Sequence, residues 1–378
     1  MFTRSIARSS LVVGALALFL TSTGSAQHST ARPSRGGTDH TARQPRPIQL
    51  GVSGGNAGDL ANGYCCSGTL GALVTDGTRQ FILSNTHVFA GDAVAGGNGK
   101  VAKVGDDINQ SGLIDVGCQV IPGDMVADLT AWPAFGTANI DAAIAQVRSG
   151  QVRTDGSILE IGTIANTTAQ AFVGQAVKKS GRTTGFTRSA VSGLNATINV
   201  GYTDECAGNS FSVQYTGQIL ISNKGSRFLN SGDSGSLMVE DVAATPRAVG
   251  LLYAGSSSIA IANPIDDVLN YFNVSMVGGI ASAGMSTGAE NGPGSRRGLA
   301  AAIAAQERNS RTLLSVPGAV GHAVGAGNSP VLKILVQEIT PRAQAAAPRQ
   351  LDGFPVVLEE VGDVKGMPFC SKRAGGRR

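Results

Sequence analysis

Between residues 50 and 275 the apolar residues come in short runs separated by glycine: SGTLGALVTDG, QFILSNTHVFA, IDAAIAQV, TGQILIS, GSLMVEDV and AVGLLYAG. Each run has the length of a strand, and a Gly, Asn or Asp turn signal usually lies beside it. This pattern predicts an all-β sandwich or a pair of β-barrels with roughly ten to thirteen strands. The composition agrees: 52 glycines, 15% charged residues and 5% aromatics leave no material for long charged helices or a coiled coil.

The ends of the 378-residue chain read differently. Arg4 and Arg8 precede an apolar run from Leu11, and small residues close at Ala26. Residues 1–26 are therefore expected to be a secretory signal peptide, too short to span a bilayer as a mature helix. Residues 27–49, rich in Arg, Pro, Ser, Gly and Thr, read as a disordered linker. A second linker is expected at 276–297, centred on GGIASAGMSTGAENGPGSRRG. Beyond it, LAAAIAAQERNSRTLLS favours helix, GAVGHAVG, VLKILVQ and FPVVLEEV favour strands, and Thr340 followed by Pro341 reads as a helix N-cap and first helical position. A small α+β domain is expected over 298–365, too small for a thick core of its own, with a loose basic tail over 366–378.

The formal charge of +4 is unevenly distributed. Residues 1–50 carry six Arg and one Asp, and the C-terminal SKRAGGRR adds four positive charges, so residues 51–370 carry −5. A folded nucleic-acid-binding surface is not implied. Of the five cysteines, at least one must be free or pair between chains, and adjacent Cys65 and Cys66 are expected to have separate partners. No cysteine and histidine spacing suggests zinc and no acidic run has the calcium-loop order, so neither metal nor cofactor is expected.

Chemistry concentrates in NSGDSGSLMV, residues 230–239. Gly232 and Gly235 permit a turn that aims the N–H groups of Gly232, Asp233 and Ser234 inward, although GDSG also fits an ordinary β-turn. Serine chemistry needs a base, a carboxylate that orients it and N–H donors for the oxyanion. Of four histidines, His28 and His40 lie in the N-terminal arm and His322 in the accessory domain without an evident partner. His87, at the end of a strand leading into a short helical turn, is the candidate base. Asp141 opens the apolar segment DAAIA and is expected to be at least partly buried, where an imidazole N–H would satisfy it. Asp115 and Asp128 compete for that role. The basic turn KKSGRTTGFT at 178–187 lacks the order of a nucleotide-binding loop and reads as a support of the second barrel.

The set SNTHVFA, NIDAAIA and NSGDSGSLMV resembles the chymotrypsin-like, double-β-barrel serine peptidases, in that family's order of His, Asp and Ser, with spacings of 54 and 93 residues. The resemblance implies an all-β fold of two six-stranded barrels, here followed by the small C-terminal α+β domain. It also implies that His87 is the general base, Asp141 its orienter and Ser234 the nucleophile, with the N–H groups of Gly232 and Ser234 as oxyanion hole. AVGLLYAG falls where the family pairs with substrate backbone, which makes Tyr253, Ala254 and Gly255 an exposed, substrate-binding end. Phe228, six positions before Ser234, occupies the place of an acid that selects Lys or Arg, so an apolar or small residue is the expected preference. GRTTG at 181–185 and ANPIDDVL at 262–269 are similar to a bacterial trypsin-like branch. VPGAVGHAVG and LDGFPVVLEEVG resemble the small companion domain of that branch. Asp233 is placed to pair with a new amino terminus, but no IVGG-type start is evident.

These readings converge on an exported serine endopeptidase acting on polypeptides, secreted or periplasmic, with no nucleic acid and no stable membrane insertion. The alternatives are an esterase using the same triad and a secreted binding or scaffold protein that retains the fold with little activity. The order His, Asp, Ser disfavours an α/β-hydrolase. The sequence is compatible with regulation of the cleft by the C-terminal domain and with homo-oligomerisation.

Overall fold

The computed structural model describes residues 37–61, 64–90, 102–202, 210–281, 293–326, 329–366 and 369–372. The expected signal peptide, His28, Cys206 and the centre of the expected second linker lie outside these residues.

Two closed barrels form the body of the molecule. The first is built from β1 (Val52–Asn56), β2 (Tyr64–Leu70), β3 (Ala72–Thr75), β4 (Gln80–Ser84), β5 (Asp107–Asn109), β6 (Met125–Ala131) and β7 (Ala143–Val147). β2 and β3 are halves of one strand bent at Gly71. The N-terminal half pairs with β1 and the C-terminal half with β4, and β4–β7–β6–β5–β1 complete the ring. A Cβ at Gly71 would overlap the carbonyl of Gly235, so the bend is where this barrel meets the GDSG turn.

The second barrel contains β8 (Ala176–Gly181), β9 (Gly185–Tyr202), β10 (Phe211–Ser222), β11 (Leu237–Glu240), β12 (Ala248–Gly255) and β13 (Ile259–Pro264). Its antiparallel pairings run β8–β9–β10–β13–β12–β11 and return to β8. The fold is thus all-β with two six-stranded barrels. Fully buried Leu73, Ile82, Leu83 and Val126 of the first barrel belong to one apolar cluster, and Val177, Ile221, Leu252 and Ala262 of the second to another.

β9 is longer than its barrel needs. Its C-terminal half continues with β10 as a projecting hairpin, Ile198 opposite Tyr215 and Tyr202 opposite Phe211. This hairpin delivers an aromatic residue, Tyr202, to the first barrel. The other edge of β9 receives β14 (Ala319–Ala326), which pairs with β15 (Pro330–Val336), which in turn pairs in parallel with β16 (Phe354–Glu360). The helix Pro293–Arg308 packs against β14 and β15. A short helix, Pro341–Ala346, is capped as the sequence predicts, the Thr340 Oγ1 accepting the Ala343 N–H at 3.1 Å. The small domain therefore leans on the first through a shared sheet.

Three expectations need correction. The arm over 37–49 is packed, not free: Ile48 and Leu50 are fully buried and bridge to Val152 and Ile158, and His40 is buried against Gly51 and Glu160. Apolar burial and these bonds offset the ordering entropy that its composition alone suggested would win. His322 does have partners, Gln306 and Ser310. The tail is not loose over its first residues: β17 (Lys365–Gly366) and β18 (Phe369–Lys372) pair with barrel strands. Disulfides join Cys65 to Cys118 and Cys66 to Cys370, so the adjacent cysteines do have separate fates.

Candidate active site

The site lies where the two barrels meet. β4 ends at Ser84, and a single turn of helix, α1 (Thr86–Phe89), follows with all four residues buried. The polar residues around it bond across to the segment before β7. Asn85 Nδ2 donates to the Asp141 carbonyl at 2.7 Å, and Thr86 Oγ1 donates to the Ala142 carbonyl at 2.9 Å. Asn263 closes the other side, accepting the Asp141 N–H and donating to the Asp141 carbonyl, each at 3.0 Å. The backbone of Asp141 is thereby fixed before its side chain is considered.

That side chain is fully buried and meets three donors. His87 Nδ1 stands 2.6 Å from Asp141 Oδ2, the His87 N–H lies 3.3 Å from Oδ1, and Tyr202 Oη lies 2.8 Å from Oδ2. A carboxylate only accepts, so the proton of the His87 ring sits on Nδ1 and the neutral ring offers Nε2 as a base. Nε2 has no hydrogen-bond partner among the described residues. Tyr202 Oη also meets Tyr215 Oη at 2.9 Å. Burial first, and the negative charge of Asp141 second, raise both phenols above the ordinary tyrosine value and keep them as neutral donors. Phe135, Tyr202 and Phe211 pack with ring centroids 4.8–5.2 Å apart and exclude water from this side.

The GDSG turn faces this arrangement from the second barrel. Gly232 and Gly235 have φ of 95° and 92°, the left-handed region that only glycine enters without strain. The N–H groups of Asp233, Gly235 and Ser236 are taken by Asn230, Leu252 and Asp233 carbonyls. Those of Gly232 and Ser234 donate to no described residue. Ser234 is fully buried, and its carbonyl accepts the Thr69 N–H of β2 at 2.8 Å. Its hydroxyl donates to the Tyr253 carbonyl at 2.9 Å.

Asp233 shapes the turn. Its carboxylate accepts the N–H groups of Thr183, Thr184 and Asn230 and the Thr184 hydroxyl, at 2.7–3.1 Å. Lys179 Nζ stands 3.2 Å away, and both side chains are completely buried. An internal ammonium therefore occupies the place that a newly cleaved amino terminus would fill. Burial pulls Lys179 below the ordinary lysine value while Asp233 opposes that shift. Arg182 binds Asp115 through Nε at 2.9 Å and Nη2 at 2.5 Å. The basic turn at 178–187 thus spends two of its cations on internal carboxylates. Asp128 pairs with Arg148, so Asp141 alone of the three candidate aspartates reaches His87.

The expected substrate-binding residues fall differently. Phe228 is buried with Leu252 and Ala260 in the second-barrel core. Tyr253, Ala254 and Gly255 are buried, not exposed, because β17 adds to their edge. Tyr202, Asn263 and Lys179 were not assigned roles from the sequence. Asn263 and Lys179 lie in or beside the segments ANPIDDVL and GRTTG, whereas nothing around Tyr202 marks it out.

A family model described as the Nal1 C-terminal domain matches residues 125–262. A search of curated proteins returned no match. Among solved structures, the chain is similar to a glutamic-acid-specific serine protease, with 20% identity and a TM-score of 0.41 over 61% of this chain and 100% of the other. It is also similar to protease A of Thermobifida fusca, with 17% identity and a TM-score of 0.40 over 61% and 99%. An alpha-lytic protease homolog gives 17% and 0.41 over 60% and 98%.

Proposed function

We propose that this protein is an exported serine endopeptidase using Ser234, His87 and Asp141. One observation carries the reading: His87 holds its proton against buried Asp141 at 2.6 Å and leaves Nε2 without a described partner, at the barrel junction that also carries the GDSG turn. Ser234 Oγ turns from the Tyr253 carbonyl toward His87 and attacks a peptide carbonyl carbon. His87 Nε2 takes the hydroxyl proton, and Asp141 stabilises the imidazolium. The N–H groups of Gly232 and Ser234 receive the oxyanion. The proton passes to the leaving amine, and water then releases the acyl group by the same route in reverse. Lys179 holds Asp233, and with it the turn, without proteolytic activation. Export is supported by the leader and by two disulfides.

The test is a fluorophosphonate probe on the mature chain, residues 27–378, beside Ser234→Ala and His87→Ala. Labelling of wild type alone, mapped to Ser234, is expected. Folded protein, wild type and Cys66→Ser/Cys370→Ser alike, that takes up no more label than Ser234→Ala removes the reading.

A further inference from the structure

On the side of β12 where β11 pairs, the ladder ends at Leu251. The edge of Tyr253–Gly255 beyond it lies beside Ser234, whose hydroxyl binds the Tyr253 carbonyl. A peptide that brings a carbonyl to Ser234 by adding a strand to the second barrel has this edge to use. The chain already uses it. Gly366 pairs antiparallel with Ala254, and Lys365 with Gly255. On its other side the same segment meets the end of β9, with the Gly201 N–H donating to the Val364 carbonyl at 3.0 Å.

The fit is specific. Val361 and Val364 are buried in the cluster that holds Tyr202, Tyr253 and Ala254, while Lys365 is exposed. A Cβ at Gly366 would stand 2.6 Å from two carbons of the Tyr202 ring, so only glycine sits there with that ring in place. Three residues on, Phe369 pairs with Ser67 and Cys370 is bonded to Cys66 in the first barrel. Three residues reach at most about 11 Å. The two anchors flank Ser234: one adjoins Tyr253, which accepts the serine hydroxyl, and the other lies two residues from Thr69, which binds the serine carbonyl.

Building on the hydrolase reading, we infer that residues 364–366 occupy, as a strand tethered by Cys66–Cys370, the peptide-binding edge of the catalytic cleft. The edge takes extended peptide with an apolar residue at the position of Val364 and glycine at that of Gly366. The resident segment excludes such peptides until it is displaced. A cis ligand acts at a local concentration of about millimolar, which blocks a weaker ligand in trans.

The experiment uses the full mature chain, a Gly366→Val variant and a Cys66→Ser/Cys370→Ser variant, each checked for folding by thermal melt. Binding of a fluorescein-labelled peptide of sequence VGDVKG is measured by anisotropy, and fluorophosphonate labelling of Ser234 is followed in parallel. At least tenfold tighter peptide binding and faster labelling in a variant than in wild type are expected. Folded variants that bind the peptide no better than wild type overturn the inference, even where Ser234 labels. Gained peptide binding with no labelling of any form keeps the strand site and removes the hydrolase instead.

Discussion

Tyr202 Oη donates to Asp141 Oδ2 at 2.8 Å, across the junction of the two barrels and from a hairpin that extends from the second. The same oxygen of Asp141 meets His87 Nδ1, so one phenol and one imidazole share a buried carboxylate. Tyr202 is a positioning residue: its hydroxyl bonds Asp141 and Tyr215 and neither Ser234 nor His87 Nε2, so it acts through Asp141.

Replacing Tyr202 with Phe keeps the ring and removes the donor. A hydrogen bond to a buried charge is worth about 1.5–3 kcal/mol, which converts to about a ten- to hundredfold loss of rate. The loss is expected in kcat with KM unchanged, measured on a peptide substrate. A fall in folding stability with kcat intact would reduce Tyr202 to a packing role.

Lys179→Met leaves Asp233 as a buried carboxylate without its cation. Breaking such a pair costs about 3–5 kcal/mol. The urea midpoint should fall accordingly, and Lys179→Met/Asp233→Asn should recover part of the loss. A Lys179→Met midpoint equal to wild type would show that the backbone and threonine donors suffice for Asp233.

Gly235→Ala should not reach a labelled state. Its φ of 92° already disfavours a side chain, and a Cβ would overlap the Thr69 carbonyl and Ser84 Oγ. Gly225 is the matched control, with φ of 66° and open space around a Cβ. Gly225→Ala is expected to cost about 1–2 kcal/mol and keep fluorophosphonate labelling.

His322 is a neutral, buried group: Gln306 Nε2 donates to its Nδ1 at 2.6 Å and its Nε2 faces Ser310 Oγ at 2.7 Å. Burial lowers its pKa from 6.5 to about 4. Between those values the unfolded chain binds the proton more readily than the folded one. Stability is therefore full above pH 6.5 and declines as pH falls toward 4, by about 3 kcal/mol at the end of that range. His322→Gln should flatten this part of the pH–stability curve measured by thermal melts, and an unchanged slope would assign the acid sensitivity to other groups.

The barrels were legible because period and turn chemistry are local. Runs such as FILSN and VGLLY supply buried faces, and the positive-φ glycines that close the turns stand in the sequence itself. The longest strand, β9, was not legible, because GFTRSAVSGLNATINVGY contains no uninterrupted apolar run. Its strand state comes from being paired on both edges, by β10 and by β8 and then β14. The packed arm over 37–49 was missed for a related reason: one buried aliphatic residue, Ile48, and a buried histidine, His40, outweigh a polar composition only once a surface exists to receive them.

By itself the sequence determined the all-β architecture and the identities of the base, carboxylate and serine candidates, since each is marked by its immediate neighbours. Only the tertiary structure decided what those groups meet: that His87 finds Asp141 and not Asp115 or Asp128, that Asp233 is held by Lys179, that Tyr202 reaches the carboxylate, and that the chain's own end lies on the strand beside Ser234. Such partners are up to hundreds of residues apart in the chain, as Cys66 and Cys370 are, separated by 304 positions. Their pairing follows from burial and from the donors and acceptors that each buried charge requires, terms that take a value only after the barrels have closed.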